Sequence, residues 1–163
     1  MTVRIATPAD ENGLVTLCRL NHEENGAHPF FEPYVRGTIQ RGILRQNAII
    51  GVIGPSDKLE GFVLILIDPV WYSTPSERQL LELMNFVHPD FRRSSNSKDL
   101  IAFAKKAADE TGLDLTIGVL SNIRTEAKIR LYKQQLPLAG AFFVYQPPKK
   151  ADAKNGDAVS MIG

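Results

Sequence analysis

The stretch from Leu80 to Leu100 constrains the fold more than any other part of the chain. Residues 80–87 are almost wholly apolar, far too few to cross a bilayer, and stop at His88-Pro89. There the missing proline N–H and its fixed φ work against continuing a helix or a central strand. A small polar cluster follows, Ser94, Ser95, Asn96 and Ser97. Apolar residues then return at Leu100, Ile101, Ala104, Ala107 and Ala108, opposite Lys98, Asp99, Lys105, Lys106 and Asp109, which is the pattern of an amphipathic helix. The stretch therefore reads as a strand, a polar turn and a helix. The first N–H groups of a helix lack internal acceptors and sit at the positive end of its dipole. With Arg92, Arg93 and Lys98 around it, the turn has the makings of a phosphate site. A serine-rich N-cap on an ordinary surface helix accounts for the same residues.

The rest of the sequence narrows what such a unit belongs to. At 163 residues with 44% hydrophobic and 23% charged residues, the chain is expected to form one globular domain over 1–146 and a disordered tail over 147–163. Nineteen basic residues against 18 acidic give no bulk charge that would select nucleic acid or a membrane surface. The N-terminal residues have no basic segment followed by an apolar core, so a cytoplasmic address is expected. Cys18 is the single cysteine and lies among Leu14, Val15 and Leu17 at helical spacing, where a buried, inert thiol is expected. His22, His28 and His88 form no ligand-spaced pair, so no metal site is expected.

Along the chain, residues 2–6 alternate as a strand and Thr7-Pro8 opens a helix over about 8–24. A second helix is expected over about 30–45. Two β-rich runs at 47–53 and 59–67 flank Gly54-Pro55, a hairpin turn. The loop 68–77 carries Trp71 and Tyr72; Trp71 is expected to anchor it to the core or to a second subunit. After the opening unit, Gly112 ends the helix, residues 113–120 form a strand, Ser121-Asn122 cap a helix over 123–135, and 139–145 form a last strand. The order is β-α-α-β-β-β-α-β-α-β, an α/β class with a central mixed sheet and about four helices.

In this setting, Val87-His88-Pro89 followed by residues 92–98 resembles the acyl-CoA-binding signature of the GNAT N-acetyltransferase superfamily, Arg/Gln-x-x-Gly-x-Gly/Ala after a strand ending in valine, a variable residue and proline. Ser95 and Ser97 stand where the family has small glycine or alanine residues. Ser121-Asn122-Ile123-Arg124, then Arg130-Leu131-Tyr132, then Gly140 before Phe142-Phe143 resemble the second signature. The resemblance spans residues 2–146, and its wording is most like GNAT proteins encoded by phages and prophages.

The resemblance implies an acyl-CoA-dependent N-acyltransferase, using acetyl-CoA as co-substrate and passing the acyl group directly to an amine on a small molecule or protein. It assigns the pantetheine arm to the strand backbone at Phe86 and Val87, and pyrophosphate to Arg92, Arg93, Ser94, Ser95, Asn96, Ser97 and Lys98. Asn122 would bond the cofactor arm, and Tyr132 would protonate the leaving thiolate. Glu82 is the best base, with a water relay as the competing route. The serine substitutions leave a second reading, a catalytically silent GNAT-like binding or assembly module. The acceptor is expected to be read by the loop 68–77 and the first two helices. Trp71, Tyr72 and the aromatic last strand are compatible with a homodimer without requiring one.

Overall fold

The computed structural model describes residues 2–148. The expected tail lies almost wholly outside them. Strand β1 (Arg4–Ile5) leads through a 3-10 turn (Pro8–Asp10) into α1 (Glu11–Asn25) and then α2 (Glu32–Ile43). The antiparallel strands β2 (Ala48–Ile53), β3 (Gly61–Pro69) and β4 (Arg78–Val87) follow, then α3 (Asn96–Thr111), β5 (Leu115–Thr116) and α4 (Thr125–Lys133). The sheet runs β1-β2-β3-β4-β5, antiparallel throughout except for the parallel pair β4–β5. Among the described residues no helix is long and apolar enough to cross a membrane.

The continuous apolar run in β3 arises because both faces of the sheet are covered. Phe62 and Leu64 join Leu14, Leu17, Ile39 and Ile50 in the core under α1 and α2. Val63 and Ile65 face Leu100, Ala104 and Ala107 of α3. Each fully buried Leu or Ile contributes about 1.5–3 kcal/mol by leaving water, which is what fixes the register of β3 and β4. Gly54, at φ +95°, turns the β2–β3 connection, and Gly112, at φ +67°, caps α3 in the left-handed region.

At the N-terminus, the Arg4 guanidinium grips the fully buried Asp10 carboxylate with two bonds of 2.8 and 2.7 Å. Asp10 also accepts from the Thr7 N–H at 2.7 Å. The helix expected from residue 8 therefore begins as a 3-10 turn clamped by Asp10.

Three expectations change. The segment 139–145 forms no strand: Phe142, Phe143 and Tyr145 are exposed. A strand needs a ladder partner, and β5, the sheet edge it would join, pairs over only Leu115 and Thr116. The strand expected over 113–120 is limited to those same two residues. Trp71 is 89% exposed and meets Tyr72 edge-on at 5.5 Å, so it does not anchor its loop to the core.

Candidate active site

The site begins with a fault in the ladder. Leu64 pairs with Met84 and Ile65 with Glu82, so Leu83 is left over as a β-bulge. On its other edge, β4 meets β5 only at Leu80 and Leu81. Beyond that the two strands part, and among the described residues no strand covers this edge of β4 from Leu83 to Val87. Where the ladder ends, the side chain of Glu82 continues it: the Gly118 N–H donates to Glu82 Oε2 at 3.2 Å.

Helix α4 closes the fork from the far side. Its cleft-facing residues Lys128 and Tyr132 are one turn apart. Tyr132 Oη accepts from Asn85 Nδ2 at 3.2 Å, so the phenolic hydrogen is not spent on Asn85. Burial shifts all three ionisable groups, and Glu82 acts on both of the others. Burial pushes the Glu82 carboxyl up to about 7, against the opposing pull of the Gly118 N–H and of Lys128. Burial lowers the Lys128 ammonium, while Glu82 works to raise it. Burial, and then the Glu82 charge, raise the Tyr132 phenol well above its ordinary value.

Two cavities meet at this point, sharing Asn85, Lys128 and Tyr132 as walls. The smaller, of about 180 Å³, runs along Phe86 and Val87 to Arg92 and Ser97. The larger, of about 580 Å³, opens toward α1, α2 and the segment joining them, with Glu82 in its wall.

The turn before α3 holds anion-binding potential. Ser94 Oγ accepts from the Asn96 N–H, and the Lys98 and Asp99 N–H groups bond Ser95 O. The N–H groups of Arg93, Ser95 and Ser97 have no acceptor among the described residues. Ser95 sits at φ −76°, an ordinary conformation, so no positive φ demands glycine there. These unpaired amides and the exposed Arg93 and Lys98 fit a pyrophosphate, and the uncovered edge of β4 fits an amide-bearing arm.

No protein-family profile and no curated protein sequence matches the chain. Solved structures do. A probable acetyltransferase superposes with a TM-score of 0.66 at 18% identity, covering 93% of this chain and 100% of that one. AAC(6')-Iy, in complex with the bisubstrate analogue CoA-S-monomethyl-acetylneamine, gives 0.67 at 14% identity, covering 89% and 96%. A ribosomal-protein-alanine N-acetyltransferase from Brucella melitensis biovar Abortus 2308 gives 0.62 at 19% identity, covering 90% and 99%. The fold is the GNAT acetyltransferase fold. The phage-like wording of the motifs finds no support among these structures.

Within the GNAT fold the residues singled out from sequence divide into groups. Glu82, Phe86, Val87, Arg92, Ser97 and Tyr132 all line the fork and its two cavities. Arg93, Ser94, Ser95 and Lys98 lie at the exposed turn. Three residues are engaged differently from the sequence reading. Arg92 turns inward, donating to Val87 O at 3.1 Å and to Glu24 Oε1 at 2.6 Å. Asn96 is buried and donates to Glu60 Oε2 at 2.8 Å, tying α3 to the start of β3. Asn122 lines neither cavity and is not the cap of α4; that position is Arg124, and the Asn122 N–H donates to Asn25 Oδ1 at 2.9 Å.

The loop 68–77 lines neither cavity; the larger one is walled by α1, α2 and the segment between them together with residues of β4, α4 and the segment 118–120. Cys18 is buried as expected, its thiol pushed up to about 12 by burial. Lys128 and Asn85 were absent from the sequence reading. Helical arithmetic could have found Lys128, four positions before Tyr132, and strand alternation could have found Asn85, two before Val87.

Proposed function

We propose that the chain is an acyl-CoA-dependent N-acyltransferase, with acetyl-CoA the first choice of donor, that passes the acyl group directly to a primary amine. The observation that carries this reading is the convergence of Glu82, Lys128 and Tyr132 where two cavities meet at the fork of β4 and β5. The donor supplies an activated carbonyl and a thiolate leaving group. The chain's residues must strip a proton from the incoming ammonium and give one to the departing sulfur.

Glu82, with a carboxyl near 7, is about half ionised at neutral pH and ionised above it, and is basic enough to take that proton directly or through a water. Tyr132 keeps its proton throughout this range, and its phenolic hydrogen is free to reach the sulfur. The uncovered backbone at Phe86 and Val87 would hold the pantetheine amides, although Arg92 shares the Val87 carbonyl. The amides and cations of residues 93–98 would hold pyrophosphate. In this reading Arg92 and Asn96 build the loop from inside rather than touching phosphate. Asn122, outside both cavities, has no assigned contact.

Acetyl-CoA is expected to raise the melting temperature, and Arg93→Glu to remove that rise. No rise with any acyl-CoA would overturn the reading.

One observation favours the silent-module alternative. The Arg92–Glu24 ion pair, 2.6 Å long, lies in a cavity of only about 180 Å³, below the ~300 Å³ at which ligand pockets begin. A protein that neither hydrolyses acetyl-CoA slowly nor releases thiol with any amine would fit that alternative.

A further inference from the structure

The larger cavity says what kind of amine it suits. Its volume of about 580 Å³ is that of a small-molecule pocket, ~300–1,000 Å³. Its walls are dominated by Phe30, Phe31, Tyr34, Val35, Leu83 and Leu120. Phe31, Tyr34, Leu83 and Leu120 are between 51% and 77% exposed, so apolar surface stands open to solvent around the mouth rather than being consumed by the core. Against this, Glu82 is the one carboxylate among the described residues lining the cavity, and the Lys128 ammonium shares the wall with it.

The charge arrangement is selective. A ligand bearing one ammonium can place it at Glu82 and lay its body against the rings. A ligand bearing several would leave the others without a carboxylate, next to apolar side chains and to Lys128, where an unpaired charge is costly to desolvate. His22 and His28 also line this cavity, and His22 Nε2 lies 2.6 Å from the His28 backbone carbonyl oxygen.

We infer that the acceptor is a primary monoamine carried on an aromatic or branched apolar body, and that polycationic amines are poor acceptors. This rests on the acyltransferase reading and adds to it the class of acceptor. The same chemistry is presented by a free arylalkylamine and by a peptide with an aromatic N-terminal residue.

The test is a panel of phenethylamine, a short peptide beginning with phenylalanine, spermidine and neamine, read by thiol release from acetyl-CoA and, in parallel without acetyl-CoA, by thermal shift. The expected result is a kcat/KM for phenethylamine or the peptide at least about tenfold above that for either polycation; the faster of the two identifies the source. Tyr34→Ala removes an exposed ring and is expected to raise KM for the aromatic amine several-fold with kcat kept. Leu83→Asp adds a second carboxylate and is expected to narrow the gap to spermidine.

A preference for spermidine or neamine in the unaltered protein would overturn the inference and leave the acyltransferase reading intact. Absence of turnover with every amine would count against that reading. The thermal shifts then decide the inference alone: stabilisation by phenethylamine and not by spermidine supports it, and the reverse, or no stabilisation by either, overturns it.

Discussion

The Gly118 N–H reaches Glu82 Oε2 at 3.2 Å just past the last parallel pair of β4 and β5. A side-chain carboxylate thereby takes the place of a ladder carbonyl where the sheet splits. The same bond that shapes the fork also holds the proposed base at its inner end, and it makes the ionisation of Glu82 a matter of stability as well as chemistry.

Folding raises the Glu82 carboxyl from 4.5 to about 7. Through that window the unfolded chain gives up the proton while the folded chain keeps it, so stability falls as pH rises. Glu82→Gln can still accept from Gly118 but cannot ionise. It is expected to be more stable than the parent protein at about pH 8, by about 1–3 kcal/mol, and not at about pH 4. Denaturant melts at the two pH values check this; an equal effect at both would mean that the carboxyl is not perturbed.

Lys128 favours the ionised form of Glu82. Under the proposed roles, kcat/KM rises with pH as Glu82 loses its proton. Lys128→Met is expected to move that limb to higher pH, whereas Lys128→Arg restores it. A pH–rate profile measured with one amine distinguishes them, since a merely structural lysine would lower the plateau without moving the limb.

Tyr132→Phe removes the proposed proton donor and leaves Asn85, which is 9% exposed, without its acceptor. Turnover is expected to fall about 10²-fold with acetyl-CoA affinity nearly kept, and stability to drop by about 1–3 kcal/mol. Steady-state kinetics beside a binding titration read the first two; equal loss of both would assign Tyr132 a packing role.

Far from the fork, Asp10 tests the scaffold. The Arg4 bonds hold its carboxyl far below the ordinary range, with Thr7 helping and burial opposing. A depressed carboxyl contributes stability at neutral pH that is lost as pH falls below the usual carboxylate range. Asp10→Ala removes the carboxylate that Arg4 and the Thr7 N–H share, leaving Arg4 its bond to Gly54 O, and is expected to cost about 1–3 kcal/mol near pH 7. The gap to the parent protein should narrow on acidification, as chemical denaturation at several pH values will read.

The parts of the fold visible in the sequence were those written in local periodicity. The strand ending at Val87, helix α3 with its Gly112 cap, the hairpin around Gly54 and the mixed sheet all follow from apolar spacing and turn residues. The segment 139–145 has an equally clear strand composition, yet it forms none. Composition cannot report that the edge it would join is two residues long. At the site, Glu82 and Tyr132 could be named from sequence because each sits in a recognisable pattern. The Arg92–Glu24 pair joins residues 68 positions apart, and no local pattern encodes such a contact. Nor could the loop 68–77 be set aside beforehand: its aromatics look functional until the sheet carries them to the end of β4 away from the fork.

The most direct test of the account is thiol release from acetyl-CoA, followed as a monoamine is added to the purified protein, with the acetylated amine identified by mass spectrometry. The expected result is saturable, amine-dependent release matched by acetylated product, and its near loss in Glu82→Gln and Tyr132→Phe variants that still bind acetyl-CoA. Binding of acetyl-CoA with no amine-dependent release from the unaltered protein, or release undiminished in both variants, would contradict it.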